Sequence, residues 1–219
     1  MTQIVPIKTP LRDIMPEPTL RRLPWYLAYV SMLRSRNVEY VSSTAIAKEI
    51  NVEATQIAKD LSFLNIRGKT RIGYAVAALE RVLRSYLGFN REHNAVIIGV
   101  GSLGRALITD SGLTRYGLDI VAGLDVNPEI IGSSIMNVPV FDIKDIAEVR
   151  KNFSAEIAII TVPVEKAQET ADIAIAAGAK ALWNFTPFRI RTPEGIVVQN
   201  TSIYAHLAVM YNRLNLVNP

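Results

Sequence analysis

Apolar side chains change their period along the chain, and the change predicts two different kinds of structure. From Thr19 to Arg36 the residues Leu20, Leu23, Leu27, Val30, Met32 and Leu33 recur at helical spacing, with Pro24 expected either to begin the helix proper or to kink it. The stretch "YVSSTAIAKEI" offers Ser42 and Ser43 as N-caps to a short helix carrying Ile46 and Ile50 one turn apart. After a few residues "NVEATQIAKDLSFL" begins another, with Ile57, Leu61 and Leu64 repeating at four and three. Two short helices joined by a tight turn predict a helix-turn-helix. The segment "NIRGKTRIGYAV" follows, punctuated by Gly68 and Gly73 and carrying Arg67, Lys69, Arg71 and Tyr74; it has the make-up of a β-hairpin wing. A further helix over "AVAALERVLRSYLG" buries Val76, Leu79, Val82, Leu83 and Leu87 and stops at Gly88, and "FNREHN" reads as a linker.

From Ala95 the texture becomes an alternation of strands and helices. "AVIIGV" is a strand, Leu103 to Ile108 a helix and "GLDIVAGLD" a second strand; "EIAIITVP", a helix from Val164 to Ala177 and "KALWNF" continue the series. Short strands are expected near "FRIR" and "GIVVQN", giving a parallel, doubly wound sheet of six or seven strands. The tail "NTSIYAHLAVMYNRLNL" places Ile203, Leu207, Met210, Tyr211 and Leu214 at helical spacing, a helix that either docks on its own sheet or packs against a second subunit. The predicted class is α/β: a winged helix-turn-helix domain over 1–88, a Rossmann-like domain over 89–199 and a C-terminal helix over 200–219.

Charge separates the two halves. Residues 1–90 hold 13 Lys/Arg against 7 Asp/Glu, whereas residues 91–219 hold 11 against 13. A basic first half favours a polyanionic partner, because cations that neutralise phosphates dominate nucleic-acid affinity. On the second short helix Thr55, Gln56, Lys59 and Ser62 lie mostly away from the apolar stripe and are types that pair with base edges or phosphates. With Ser43 and the wing residues Lys69, Arg71 and Tyr74 they form the candidate DNA-binding set. The chain has no cysteine, which excludes disulfides and zinc-thiolate sites. No apolar stretch has the length of a membrane span, and "MTQIVPIKTPLRDIMPEPT" has no signal-peptide core, so a cytoplasmic protein is expected.

Gly99, Gly101 and Gly104 form G-x-G-x-x-G between a strand and a helix. The first glycine allows a tight turn, the second lets backbone approach a pyrophosphate, and the third packs helix on strand. Asp125 ends the next strand, where a carboxylate accepts from an adenosine ribose, and no arginine follows to meet a 2′-phosphate; the pattern favours NAD(H). The candidate cofactor set is Gly99, Val100, Gly101, Ser102, Leu103, Gly104, Asp125, Thr161, Pro163 and Asn184. Machinery for hydride transfer is thin. His93 precedes the first strand, His206 sits in the tail, and about thirty residues after "NFTP" are too few for a substrate domain. A nucleotide used as a signal is therefore the main expectation. A small NAD-dependent enzyme, and a module binding another adenine nucleotide such as coenzyme A, stay open as alternatives.

In this order the parts resemble the Rex family of bacterial redox-sensing transcriptional repressors. The marks are "LRRLPWYL", "VSSTAIAKEI", "TQIAKDLS", "RIGY", "GVGSLGRAL", "LDVNP", "TVP" and "NFTPFRIRTPEGIVVQN". The resemblance implies a homodimer with a swapped C-terminal helix and an inverted-repeat DNA operator near fermentation and respiration genes, released when NADH binds. By position it puts Gln56, Lys59, Asp60 and Ser62 in the recognition helix, Lys69, Arg71 and Tyr74 in the wing, and Gly99 to Gly104 with Asp125 around the cofactor. There are departures. Ala58 stands where the family has an arginine, Ala28 and Ser202 where it has an arginine and an aspartate that link cofactor state to the DNA-binding domains, and Ile203 and Asp110 where it has aromatics. A diverged paralogue with weaker or rewired coupling is expected.

Overall fold

The computed structural model describes residues 15–217, and the reading of the first residues as free of a leader lies largely outside them. Two compact units divide between Asn90 and Arg91.

The first unit contains α1 (Glu17–Ser35), β1 (Tyr40–Val41), α2 (Ser43–Ile50), α3 (Ala54–Ser62), β2 (Tyr74–Ala75) and α4 (Val76–Leu87). Pro24 neither starts α1 nor breaks it; the helix begins seven residues earlier, with Pro16 as its N-cap, and runs through the proline. Burial of Leu23, Tyr26, Leu27, Val30 and Leu33 on one stripe offsets the single backbone donor that Pro24 lacks. Of the two candidate serines, Ser42 caps α2, its hydroxyl accepting the Ala45 N–H at 3.0 Å. Asn51 ends α2 in the left-handed conformation, φ 54°, which permits the tight turn into α3. Ile46, Ile57, Leu61, Val76, Leu79 and Leu83 join the α1 stripe in one core. The wing is smaller than a hairpin ladder. Lys69 and Gly73 form one antiparallel bridge around a tight loop, and β2 pairs instead with β1, Val41 opposite Tyr74.

The second unit contains β3 (His93–Ile98), α5 (Ser102–Thr109), α6 (Ser111–Arg115), β4 (Leu118–Asp125), β5 (Ser134–Ile135), β6 (Val138–Asp142), α7 (Ile146–Asn152), β7 (Ile157–Ile160), α8 (Ala167–Ala176), β8 (Ala181–Asn184), β9 (Val197–Asn200) and α9 (Ile203–Val217). The seven strands run β5-β6-β4-β3-β7-β8-β9, parallel except for the β5–β6 edge pair. The "FRIR" stretch forms no strand, while β5 and β6 were not expected from the pattern. On β3, Val96 and Ile98 face a large core with Leu124, Ile160, Ala171 and Leu182, whereas Ala95 and Ile97 face a smaller one. On that second face Leu118, Ile120, Ile157, Trp183 and Phe185 are only half-buried. No residue of α9 is buried, so the option of docking the tail on its own sheet is not realised. Among the described residues no helix is long and apolar enough to cross a membrane.

Candidate cofactor cleft and nucleic-acid face

The glycine loop joins β3 to α5 where order along the sheet reverses, the place where open parallel sheets receive ligands. Each glycine has its own reason. Gly99 has φ +94°, and a Cβ there would lie 2.8 Å from the Thr161 carbonyl oxygen. At Gly104 a Cβ would meet the Gly99 carbonyl at 2.2 Å, so this glycine lets α5 lie against the loop. A Cβ on Gly101 would meet nothing within 4 Å; close packing inside the chain does not explain this glycine, and open space above it suits approach of a ligand backbone. The helical ladder of α5 starts at Arg105 N–H to Gly101 O, 2.9 Å, and no side chain caps the helix. The N–H groups of Ser102, Leu103 and Gly104 therefore precede the ladder at the positive end of the helix, the arrangement that receives phosphate.

Asp125 closes the other side. Its Oδ2 accepts the Val100 N–H at 2.6 Å and its Oδ1 accepts Val126 and Asn127 N–H at 2.7 and 2.9 Å. Those three amides fix the carboxylate's orientation and tie it to the glycine loop. Oδ1 is filled by its two donors, whereas Oδ2, with one, keeps acceptor capacity for a hydroxyl. Thr161 clamps the loop from β7, its hydroxyl donating to the carbonyls of Gly99 and Ile98 at 2.7 and 3.1 Å.

These elements surround a cleft of about 330 Å³. Of the expected residues, Gly99, Gly101, Asp125, Thr161 and Pro163 line it. Val100 is buried beneath, and Ser102, Leu103 and Gly104 form the first turn of α5. Asn184 does not reach it. Its side chain is wholly buried, donating to Phe188 O and Asn200 Oδ1 and accepting from Thr186 N–H, so it staples the chain after β8. The structure adds Ile98, Leu124, Val126, Ile143, Val162 and Ile173 as apolar walls and Lys166, ion-paired with Glu169 at 2.9 Å, at the edge. Apolar walls beside a fixed carboxylate and a glycine turn at a helix N-terminus fit an adenine dinucleotide.

In the first unit, Thr55, Lys59 and Ser62 are exposed along one face of α3, with Ser43 half-buried at the start of α2. Lys69 and Arg71 are exposed in the wing loop, and Tyr74 is half-buried in β2. Lys69 donates to the Tyr40 hydroxyl at 2.8 Å and lies 5.0 Å from that ring's centroid, which sets its direction. Ile72, not expected as a functional residue, stands 52% exposed beside Arg71 in the wing loop.

Asp60 has a different place from the exposed face of α3. It is wholly buried and receives Thr19 Oγ1 at 3.0 Å, Arg22 Nε and Nη2 at 2.7 and 2.8 Å, the Tyr26 hydroxyl at 2.6 Å and Gln56 Nε2 at 2.7 Å. Burial pushes its carboxyl up, but hydrogen bonds from Arg22, Tyr26, Gln56 and Thr19 outweigh this and hold it at about 2. The same contacts raise Arg22, chiefly through its bond to Asp60, while burial and then Asp60 raise Tyr26. This cluster locks α3 to α1.

A family model described as a putative DNA-binding protein N-terminus matches residues 14–62, and one described as a CoA binding domain matches residues 90–188. The redox-sensing transcriptional repressor Rex of Bacteroides fragilis is 57% identical over 201 residues, covering 92% of this chain and 91% of that protein. The chain belongs to the Rex family of redox-sensing transcriptional repressors. Rex of Porphyromonas gingivalis is 54% identical over 200 residues, covering 91% and 92% of the two chains. Rex of Clostridioides difficile is 35% identical over 184 residues, covering 84% and 88%. Among solved structures, a crystal structure of RSP in complex with β-NAD+ and operator DNA superposes with TM-score 0.87 at 30% identity, covering 98% of this chain and 94% of that one. One of RSP in complex with β-NADH gives 0.83 at 32%, covering 92% and 95%.

Two of the family departures acquire local explanations. Ser202 caps α9, its hydroxyl accepting the Ala205 N–H at 3.2 Å, so it keeps the capping function of an aspartate without the charge. Asp110 accepts the Gly112 N–H at 2.9 Å and starts α6. Ala28 is exposed on α1.

Proposed function

We propose that this chain is a DNA-binding transcriptional repressor that senses the NADH/NAD+ balance, NADH in the cleft of the second unit favouring release from an inverted-repeat operator. The observation that carries the reading is the pairing of an open Gly101 beneath a helix N-terminus with a basic helix-turn-helix unit in one chain of the Rex family. Relatives are named as repressors, and solved relatives hold NAD+, NADH and operator DNA. The dinucleotide supplies occupancy here rather than chemistry. Gly101 and the first amides of α5 receive its phosphates, Asp125 its adenosine ribose, and Ile98, Leu124 and Val126 its adenine. On the DNA side Thr55, Gln56, Lys59 and Ser62 enter the major groove, Ser43, Lys69 and Arg71 hold phosphates, and Tyr74 seats the wing. Release requires NADH to bind the DNA-incompetent arrangement better than the competent one, since equal affinity for both shifts nothing.

The working form is a cytoplasmic homodimer, because an inverted repeat calls for two-fold symmetry. Support comes from α9, which leaves Met210, Tyr211 and Leu214 about half exposed, and from the half-buried second face of the sheet. With Ala28 and Ser202 in place of a charged pair, coupling between cofactor and DNA is weaker than in typical members. A gel shift on an inverted-repeat operator with and without NADH tests the reading. Unchanged binding at saturating NADH removes the redox part, and NADH fluorescence titration with coenzyme A as competitor tests the ligand.

A further inference from the structure

A glutamine on a groove-facing helix is usually ambidextrous: turning its amide over presents either an acceptor or a donor to a base edge. Gln56 lacks this freedom. It is the third residue of α3, half-buried, on the flank of the exposed face that carries Thr55 and Lys59. Its neighbour one turn on is Asp60, whose carboxylate has no hydrogen to give. Only the Gln56 nitrogen can face it, and Nε2 donates to Asp60 Oδ1 at 2.7 Å. Among the described residues the Gln56 oxygen has no partner, and no buried side-chain polar atom lacks one. Oε1 therefore reaches solvent on the flank of the α3 face.

We infer that Gln56 is a specificity-determining residue that reads the exocyclic amino group of one adenine or cytosine through its carbonyl oxygen, with Asp60 as the positioning residue that forbids the reversed amide. In the major groove adenine and cytosine present an amino donor where guanine and thymine present a carbonyl acceptor. A fixed acceptor accepts the first pair and repels the second. The inference rests on the reading of α3 as a groove helix, and it adds a rule that the general reading lacks: amino over keto at one position per half-site.

The experiment uses the full chain and an operator obtained by selection from random duplexes, with binding measured by fluorescence anisotropy. Adenines and cytosines of one half-site are replaced singly by purine and pyrimidin-2-one, which lack the amino group. At one position this change weakens wild-type binding about three- to ten-fold, a keto base there weakens it further, and Gln56→Ala shows neither penalty. In Asp60→Asn the keto penalty shrinks, because the amide is free to turn; a role confined to stability leaves that ratio unmoved. Gln56 is partly exposed, so its variant decides the matter even if Asp60→Asn folds poorly. Wild-type indifference to amino removal at every position, or a full penalty retained by Gln56→Ala, overturns the inference while leaving DNA binding intact. A chain that selects no duplex at all overturns the DNA-binding reading and this inference with it.

Discussion

Replacing Asp60 by asparagine keeps its shape and removes its charge, and the structure sets the cost. Five hydrogen bonds converge on the two carboxylate oxygens, all of them donated. The carboxyl is displaced from its ordinary 3.8 to about 2, which corresponds to about 2 kcal/mol of stability at neutral pH. Asparagine adds an amide N–H facing donors and leaves the Arg22 guanidinium without its counter-charge, so the expected loss is about 3 kcal/mol. That is the lower end for breaking a buried pair, because Arg22 keeps one-fifth of its side chain in solvent. The sign of the pH dependence follows from the lowered pKa. The contribution is complete above the unfolded value near 4 and is lost as pH falls through about 2, so wild type and variant converge across that window. Hydrogen exchange read by mass spectrometry, with urea unfolding beside it, gives both quantities. The slowest amides of α1 and α3 lose protection by the stated amount, and those of β3 and β7 in the other unit do not. A loss below about 1 kcal/mol, or a gap that stays constant from pH 5 to 2, would refute the assignment of Asp60 as the charged lock between these helices.

The three loop glycines separate stability from ligand binding. Gly104→Ala, with its Cβ 2.2 Å from a carbonyl, lowers thermal stability of the second unit by about 1–3 kcal/mol. Gly101→Ala, at φ −77° with open space around it, melts like wild type but loses about tenfold or more in NADH affinity by fluorescence titration. Asp125→Ala removes the acceptor of the Val100, Val126 and Asn127 amides and weakens NADH by at least tenfold, roughly the worth of one charge-assisted hydrogen bond; unchanged affinity would move the ribose elsewhere. Met210→Glu with Leu214→Glu on the exposed face of α9 shifts the mass measured by light scattering from dimer to monomer, without lowering the melting temperature of the first unit.

The sequence by itself determined the elements whose signal is local. Helical period fixed α1, α3 and α4; strand runs with glycine punctuation fixed β3, β4, β7 and β8; and the glycine spacing with Asp125 located the cleft. The elements are legible because the side chains that specify each lie within a few residues of one another, and Asp125, 21 residues after Gly104, because it ends the strand that follows the glycine loop. Tertiary structure decided the rest. Strand β6 escaped notice because it carries Pro139 and gains its stability from pairing with β4. Ile143 and Lys166 become walls of the cleft only once the sheet brings the strand ends side by side. Asn184, expected at the cofactor, is a buried staple: it holds Phe188 and Thr186 of the loop after β8 and meets Asn200 only because the chain returns as β9. Asp60 shows the limit most clearly. Three residues after Ile57 and four before Leu64, it falls on the apolar side of α3, yet three of its four partners come from α1, 34 to 41 residues away. A carboxylate can be buried in this way only when a second helix delivers its counter-charge, and one-dimensional periodicity carries no record of that delivery.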